Sequence, residues 1–298
     1  MNADNLVGRT VAGYHLAEYI GEGGTATVYR AEHPERGRAA VKILRPRLAQ
    51  DPIAVKRFLR EAEYGARVQH PNIVQTYDYG ATDGLHYLAL EWAQGEPLAE
   101  FINRSGQLAP ALVATIVEQL GAALASAHKA GIIHRDLKPA NIMYDPATQT
   151  AKLLDFGIAR DSELSPEERL TRAGFFVGTL QYVAPETLSG ELVNEQADVY
   201  SLATIAYYML TQELPFTGKS PRELFQQLLT QAPVSLNQAV KGLRFPAPLE
   251  AAVMRGLDRD LTKRSKTVDD FATELCTAVR QGGGKRGFLA SLFGKGGE

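Results

Sequence analysis

The chain has 298 residues, enough for one large domain or two lobes that share a cleft. Its 45% apolar and 22% charged residues are an ordinary globular balance, and a formal net charge of -2 argues against nucleic acid as a partner. Cys276 is the only cysteine, which excludes an internal disulfide framework and fits a reducing, cytoplasmic setting; the opening residues show no basic-then-apolar leader pattern.

Residues 1–90 alternate short β-like runs with turns, at 14–20, 27–31, 39–44, 73–79 and 85–91. One helix is predicted among them over 53–68, with Asp51 as its cap, Pro52 in its first turn and Gly65 as its only breaker. Beyond Gly95 the pattern is mostly helical. The apolar window 111–133 is broken by Glu118, Gln119, His128 and Lys129, so it reads as a buried amphipathic helix and not a membrane span. Ser165-Pro166-Glu167-Glu168 and Ser220-Pro221-Arg222-Glu223 share one helix-start signal, with Ser at the cap, Pro first and Glu three residues on. Thr267 with Asp270 is a weaker version. From Gln281 the chain is Gly-rich with scattered Lys and Arg, so the folded part is expected to stop near Arg280. Residues 281–298 then form a disordered tail, whose short apolar run at Phe288 and Leu289 allows only a weak membrane contact.

Two regions carry chemistry. Near the start, Gly21-Glu22-Gly23-Gly24-Thr25-Ala26-Thr27-Val28, with Ile20 before it, sits between two predicted strands. Glycine lets a backbone approach phosphate with its N–H groups facing the anion. Lys42 follows on the next strand between apolar residues, where an ammonium points inward only toward anionic partners: phosphates, or Glu61 on the helix. The second region is His134-Arg135-Asp136-Leu137-Lys138-Pro139-Ala140-Asn141, followed by Asp155-Phe156-Gly157. Asp136 can take the proton of an attacking hydroxyl, Lys138 can reach phosphoryl oxygens, and Asn141 and Asp155 offer hard oxygens to Mg²⁺. Their order and spacing match a phosphoryl-transfer signature.

On these motifs the chain resembles the eukaryotic-like (Hanks-type) serine/threonine protein kinases found in bacteria, from about Tyr14 to Arg280. The resemblance implies an α+β, bilobal protein-kinase fold. A small antiparallel N-lobe sheet with one long helix would occupy 1–90, a larger mainly helical C-lobe 91–280, and ATP the cleft between. It implies ATP with Mg²⁺, or Mn²⁺, as cofactors and Ser/Thr hydroxyls of proteins as acceptors. It also implies autophosphorylation in the activation loop and a homodimer for transfer between copies. Glu91 and Ala93 would be the adenine hinge, Leu90 the residue guarding the pocket behind, and Val28, Ala40 and Met143 the walls around the base. Glu186 would pair with Arg264, and Asp198 would hold the catalytic loop from below. Lys138 and the Gly178-Thr179 pair are the Ser/Thr version of their motifs, with Thr179 bonding Asp136 and Lys138. Arg135 would receive a phosphate carried by Thr171.

Three positions depart from the family pattern. Ala26 stands at the third glycine of the loop, Ala203 replaces a usual glycine, and Gly65 lies where a side chain normally joins a regulatory stack. A pseudokinase scaffold predicts loss of Lys42, Asp136, Asn141 or Asp155, and all four are present. A small-molecule phosphotransferase would lack the segment from Gly178 to Glu186 that docks a polypeptide.

Overall fold

A computed structural model describes residues 6–155, 180–189 and 193–293, with side chains as far as residue 282. Strands β1 (Thr10–Val11), β2 (Tyr14–Glu22), β3 (Ala26–His33), β4 (Gly37–Leu44), β5 (Thr76–Thr82) and β6 (Leu85–Glu91) form one antiparallel sheet in the order β1-β2-β3-β4-β6-β5. Side-chain alternation sorts their residues onto two faces. Tyr29, Ala31, Ala39, Val41, Ile43 and Tyr87 pack together on one. On the other, the register sets Val28 opposite Lys42, Lys42 opposite Leu88 and Ala40 opposite Leu90. Helix α1 (Pro52–Arg67) covers part of this second face, burying Phe58 and Ala62 against Ala26, Leu44, Leu88 and Leu90. Its cap is Asp51, whose carboxylate accepts from Ile53 N at 2.9 Å.

The strand expected over 73–79 begins only at Thr76. The residues before it are claimed by the second half of the molecule. Ile73 makes a single parallel bridge to Leu153, Val74 N donates to Leu153 O at 2.9 Å, and the Asn72 amide donates to Ala151 O at 2.8 Å. Those bonds fasten the sheet to the helical half of the chain.

The helical half opens with β7 (Glu96–Pro97), α2 (Leu98–Ser105), α3 (Pro110–Lys129), a 3₁₀ turn (Pro139–Asn141), β8 (Ile142–Asp145) and β9 (Thr150–Leu153). After these come α4 (Pro185–Ser189), α5 (Gln196–Thr211), α6 (Pro221–Thr230), α7 (Leu236–Ala239), α8 (Ala247–Gly256) and α9 (Val268–Phe293). A sheet lobe with one long helix therefore joins a helical lobe, as the sequence implied. Among the described residues α3 alone is long and apolar enough to cross a membrane, yet Val113, Ile116, Val117, Leu120 and Leu124 are wholly buried in the core. Ala203 on α5 is fully buried, and a Cβ built at Gly256 on α8 would lie 2.5 Å from its methyl. The small residue this helix pair needs is supplied by α8, which accounts for alanine at 203.

Two helix starts differ in detail from expectation. At α6, Ser220 Oγ accepts from Glu223 N at 3.2 Å, but the Glu223 carboxylate accepts from Lys219 N, one residue before the cap. At α9 the reciprocal box is complete, Asp270 N donating to Thr267 Oγ1 at 3.0 Å and Thr267 N to Asp270 Oδ2 at 3.1 Å. The Ser165 start lies outside the described residues. The backbone of α9 stays helical to Phe293, past the end expected near Arg280. Gly282 lets the helix pass close to Pro246, where a Cβ would meet the ring at 2.8 Å. Beyond it no proline breaks the run, and Phe288, Leu289, Leu292 and Phe293 recur at helical spacing.

Glu186 at the start of α4 and Arg264 before α9 form a fully buried, two-pronged ion pair at 2.6 and 3.1 Å. Arg264 also donates to Asp258 O at 2.7 Å and Gln196 O at 2.9 Å, and its guanidinium lies 5.1 Å from the Tyr200 ring centre. Replacing one partner strands the other charge away from water, at a cost of about 3–5 kcal/mol. Arg264→Met is expected to lower the melting temperature sharply, and adding Glu186→Gln to recover part of the loss; thermal denaturation of the three proteins checks this.

Candidate active site

The groove between the sheet and the helical lobe gathers the charged residues. Lys42 projects from β4 on the α1-facing side, because its strand partner Val28 and neighbour Ala40 share that face. Its ammonium contacts the Asp155 carboxylate directly and lies 3.8 Å from Glu61 Oε1. Burial alone would depress the lysine, but Asp155 and then Glu61 outweigh it and hold its pKa above the usual value. Glu61 receives the weaker share of that ammonium. Burial above all, with Asp155 and Asp136 adding to it and Lys42 pulling back in part, raises its carboxyl to about 7.

Asp136, Lys138 and Asn141 follow the buried stretch at Ile132. Lys138 Nζ donates to Asp136 Oδ2 at 3.0 Å. The Asn141 amide nitrogen donates to the same oxygen at 3.1 Å and to Asp136 O at 2.9 Å, which leaves the amide oxygen as its remaining ligand atom. Leu154 N donates to Asn141 O at 3.0 Å, placing Asp155 next to this turn. Arg135, with φ of +62°, is one of the few non-glycine residues in the left-handed region. Asp198 on α5 holds it there, accepting from Arg135 N at 3.0 Å and His134 N at 2.8 Å. His128 Nε2, 2.8 Å from Asp198 Oδ2, completes the grip. Burial by itself would raise the Asp198 pKa, yet the hydrogen bond from His128 and the nearby imidazoles keep it below the ordinary value. His134 is pushed down, chiefly by burial.

The glycine turn is a tight hairpin. β2 runs to Glu22, β3 resumes at Ala26, and Gly23 N donates to Ala26 O at 2.8 Å, with Gly24 and Thr25 at the tip. Ile20 is a half-exposed bulge residue, since the register jumps between Tyr19 and Gly21. The Ala26 methyl packs under α1 with Leu44 and Phe58, so a methyl at the third glycine position fills core instead of the phosphate path. Thr27 lies opposite Ile43 and its side chain is buried, so only its backbone N–H is a candidate phosphate contact. Glu22 is held by Arg45, Nη2 to Oε1 at 2.7 Å.

At the expected hinge, Leu90 is buried opposite Ala40, while Glu91 and Ala93 are partly buried. Met143 on β8 is partly buried and paired with Lys152 on β9. The Glu91 carboxylate contacts the Lys152 ammonium and also accepts from Gln75 N at 3.2 Å. Phe156, Thr171 and Thr179 lie outside the described residues.

Sequence reasoning missed His128, Lys152 and Arg45. In the sequence His128 is only a polar break in an apolar window. Arg45 was legible in principle, being a cation just beyond the lysine strand, where it meets the glycine turn. Lys152 needed the β8–β9 register.

The protein kinase domain model matches residues 14–281. The chain belongs to the protein kinase domain family. Membership implies use of ATP and a divalent metal ion. This kinase domain is 36% identical over 281 residues to serine/threonine-protein kinase pkn3 of Myxococcus xanthus, covering 92% of this chain and 51% of that one. It is 37% identical over 267 residues to PknB of Mycobacterium tuberculosis, covering 88% of this chain and 42% of that one. The chain thus spans about half the length of these curated relatives. Among solved structures it is similar to the Mycobacterium tuberculosis PknI kinase domain, with TM-score 0.70, 30% identity, and coverage of 91% of this chain and 98% of that chain. It is also similar to Rad53 1-466, solved in complex with AMP-PNP, with TM-score 0.72, 27% identity and coverage of 89% and 65%.

Glu61 ordinarily ionises at 4.5 and in this groove at about 7, so the folded chain holds a proton over that window that the unfolded chain has released. Stability is therefore full below the lower value and falls as pH rises through about 7. Glu61→Gln, fixed in the neutral form, is expected to lose this component, worth about 1–3 kcal/mol. Melting curves of both proteins across the window measure it as a pH-dependent difference.

Proposed function

We propose that the chain is an ATP- and Mg²⁺-dependent protein serine/threonine kinase. The observation that carries the reading is the convergence of Lys42, Glu61 and Asp155 from one side with Asp136, Lys138 and Asn141 from the other. The names of pkn3 and PknB support it.

ATP would lie with its base between Val28 and Ala40 above and Met143 below, hydrogen-bonded to the backbone of Glu91 and Ala93. The N–H groups from Gly21 to Val28 would line its phosphates, and Lys42, aligned by Glu61, would bind the α- and β-phosphates. Asp155 and the Asn141 amide oxygen suit a hard cation. Phosphate oxygens and water would complete the shell, as Mg²⁺ favours and Mn²⁺ tolerates. When bound, the metal neutralises charge on the β- and γ-phosphates. Asp136 orients the acceptor hydroxyl and takes its proton. The bond from the γ-phosphorus to the bridging oxygen breaks as that to the Ser or Thr oxygen forms, and ADP departs. Lys138 follows the transferring oxygens as a point charge.

Several finer assignments rest on sequence alone. Thr171 is the proposed autophosphorylation site, with Arg135 as its receiver, and Thr179 the link between the loop and the peptide. Transfer between two copies in a homodimer, a weak membrane contact through the tail and a cytoplasmic setting complete the reading. The buried Cys276 thiol is consistent with the last. Residues 1–90 and 91–280 are the proposed lobes.

Asp136→Asn is expected to reduce transfer from radiolabelled ATP by about 10²–10⁴-fold; equal labelling of the variant and the parent would refute the assignment. Thr171→Ala is expected to lower transfer to an added protein substrate after preincubation with ATP. An undiminished rate would remove Thr171 from the activation scheme.

A further inference from the structure

Residues 92–95 link β6 to β7 and belong to neither strand, so the backbone expected to meet adenine depends on what holds this linker at its two ends. The far end is fixed by backbone. Glu96 pairs with Tyr144 on β8, and Gly95, at φ of +95°, lies so close that a Cβ on it would be 2.1 Å from Tyr144 O. The near end is fixed by one side chain. Glu91 N donates to Gln75 O at 2.8 Å, one Glu91 carboxylate oxygen accepts from Gln75 N at 3.2 Å, and the other contacts the Lys152 ammonium.

Lys152 lies opposite Met143 across β8 and β9, and residues paired across antiparallel strands share a face. The lysine therefore ties the start of the linker to the surface that carries the expected floor of the base pocket. Val74 N donates to Leu153 O at 2.9 Å, which closes a ring of contacts through the neighbours of Gln75 and Lys152. The Glu91 and Lys152 side chains are 26% and 23% exposed, and a pair so open to water adds little to stability. What it fixes is the place of the linker relative to Met143. Adenine presents a donor at N6 and an acceptor at N1, whereas guanine presents an acceptor at O6 and a donor at N1. A backbone held in one place rejects the reversed pattern, because its own polar groups are left unpaired. A backbone free to slide can meet that pattern with other atoms.

We propose that Lys152 and the Glu91 carboxylate are positioning residues that set base specificity: their ion pair pins the linker to the β8–β9 hairpin and thereby sets the preference for adenine over guanine nucleotides. The proposal deepens the reading of this groove as an ATP site and rests on it. It gives a function to a lysine that touches neither the phosphates nor the acceptor in that reading.

The test compares wild type, Lys152→Met, Lys152→Arg, Glu91→Gln and the double variant Glu91→Gln/Lys152→Met. Affinities for AMP-PNP and GMP-PNP, each with Mg²⁺, and the melting temperature are measured for every protein. The two nucleotides carry the same phosphates, so the ratio of their affinities cancels the contributions of Lys42 and the metal. Lys152→Met is expected to lower the adenine preference roughly fivefold, the most that a partly exposed ion pair supplies, with little change in melting temperature. Lys152→Arg keeps the cation and is expected to hold the ratio within about twofold of wild type. Glu91→Gln and the double variant are expected to match Lys152→Met, because each change removes the same contact. An unchanged ratio in Lys152→Met, an equal loss of both nucleotides, or a double variant that loses the product of the two single effects would overturn the proposal alone. Wild type that binds neither nucleotide would overturn the ATP-site reading and the proposal with it.

Discussion

A single carboxylate with no access to water fixes the geometry of the catalytic loop. Asp198 spends its oxygens on the backbone N–H groups of His134 and Arg135 and on His128. A residue held in the left-handed region costs about 1–3 kcal/mol, whereas each hydrogen bond to a charged group contributes about 1.5–3 kcal/mol. Two such backbone bonds are enough to keep Arg135 there. The reversed backbone at Arg135 then turns the next residues outward, with Asp136, Lys138 and Asn141 bonded to one another before any ligand arrives. Helix α5 supplies the anchor because it is buried on nearly every side, so the carboxylate has little freedom to drift.

Among the described residues above that platform, Glu61 and Asp155 contact the Lys42 ammonium and Asp136 contacts that of Lys138. Lys42 sits nearer Asp155, and burial, only partly offset by Lys42, raises the Glu61 pKa to about 7. An entering cation would be attracted to these carboxylates, while an entering phosphate would compete for Lys42. The helical lobe and the sheet meet through backbone bonds at Val74 and Leu153 and through the Glu91–Lys152 pair. The charge cluster therefore rests on a short, well-defined joint.

Much of this was legible from residue types. Alternating apolar residues gave the strands, Asp51 and Pro52 gave the start of α1, and motif order brought Lys42, Glu61, Asp136, Asn141 and Asp155 into one argument. What escaped was set by partners distant in the chain. Ile73 has strand-like neighbours, but its backbone bonds go to Leu153. Thr27 lies within the glycine motif, and only the fold shows that its side chain is buried, opposite Ile43. Ala203 looks like a lapse from the family pattern until Gly256 is seen across from it. Helix α9 outruns its expected end because glycine composition says little about a segment that packs past Pro246.

The hold of Arg45 on the glycine turn has a thermodynamic side. Arg45 donates to Gly23 O at 3.2 Å, its backbone N–H to Thr25 O at 2.9 Å, and Arg47 reaches Gly24 O at 3.4 Å. Turn carbonyls are thereby occupied by the protein's own donors. A loop tied down in this way has fewer conformations to surrender when an anion settles against its amides. Ordering entropy that a free glycine loop would lose at the moment of binding has been lost already, during folding.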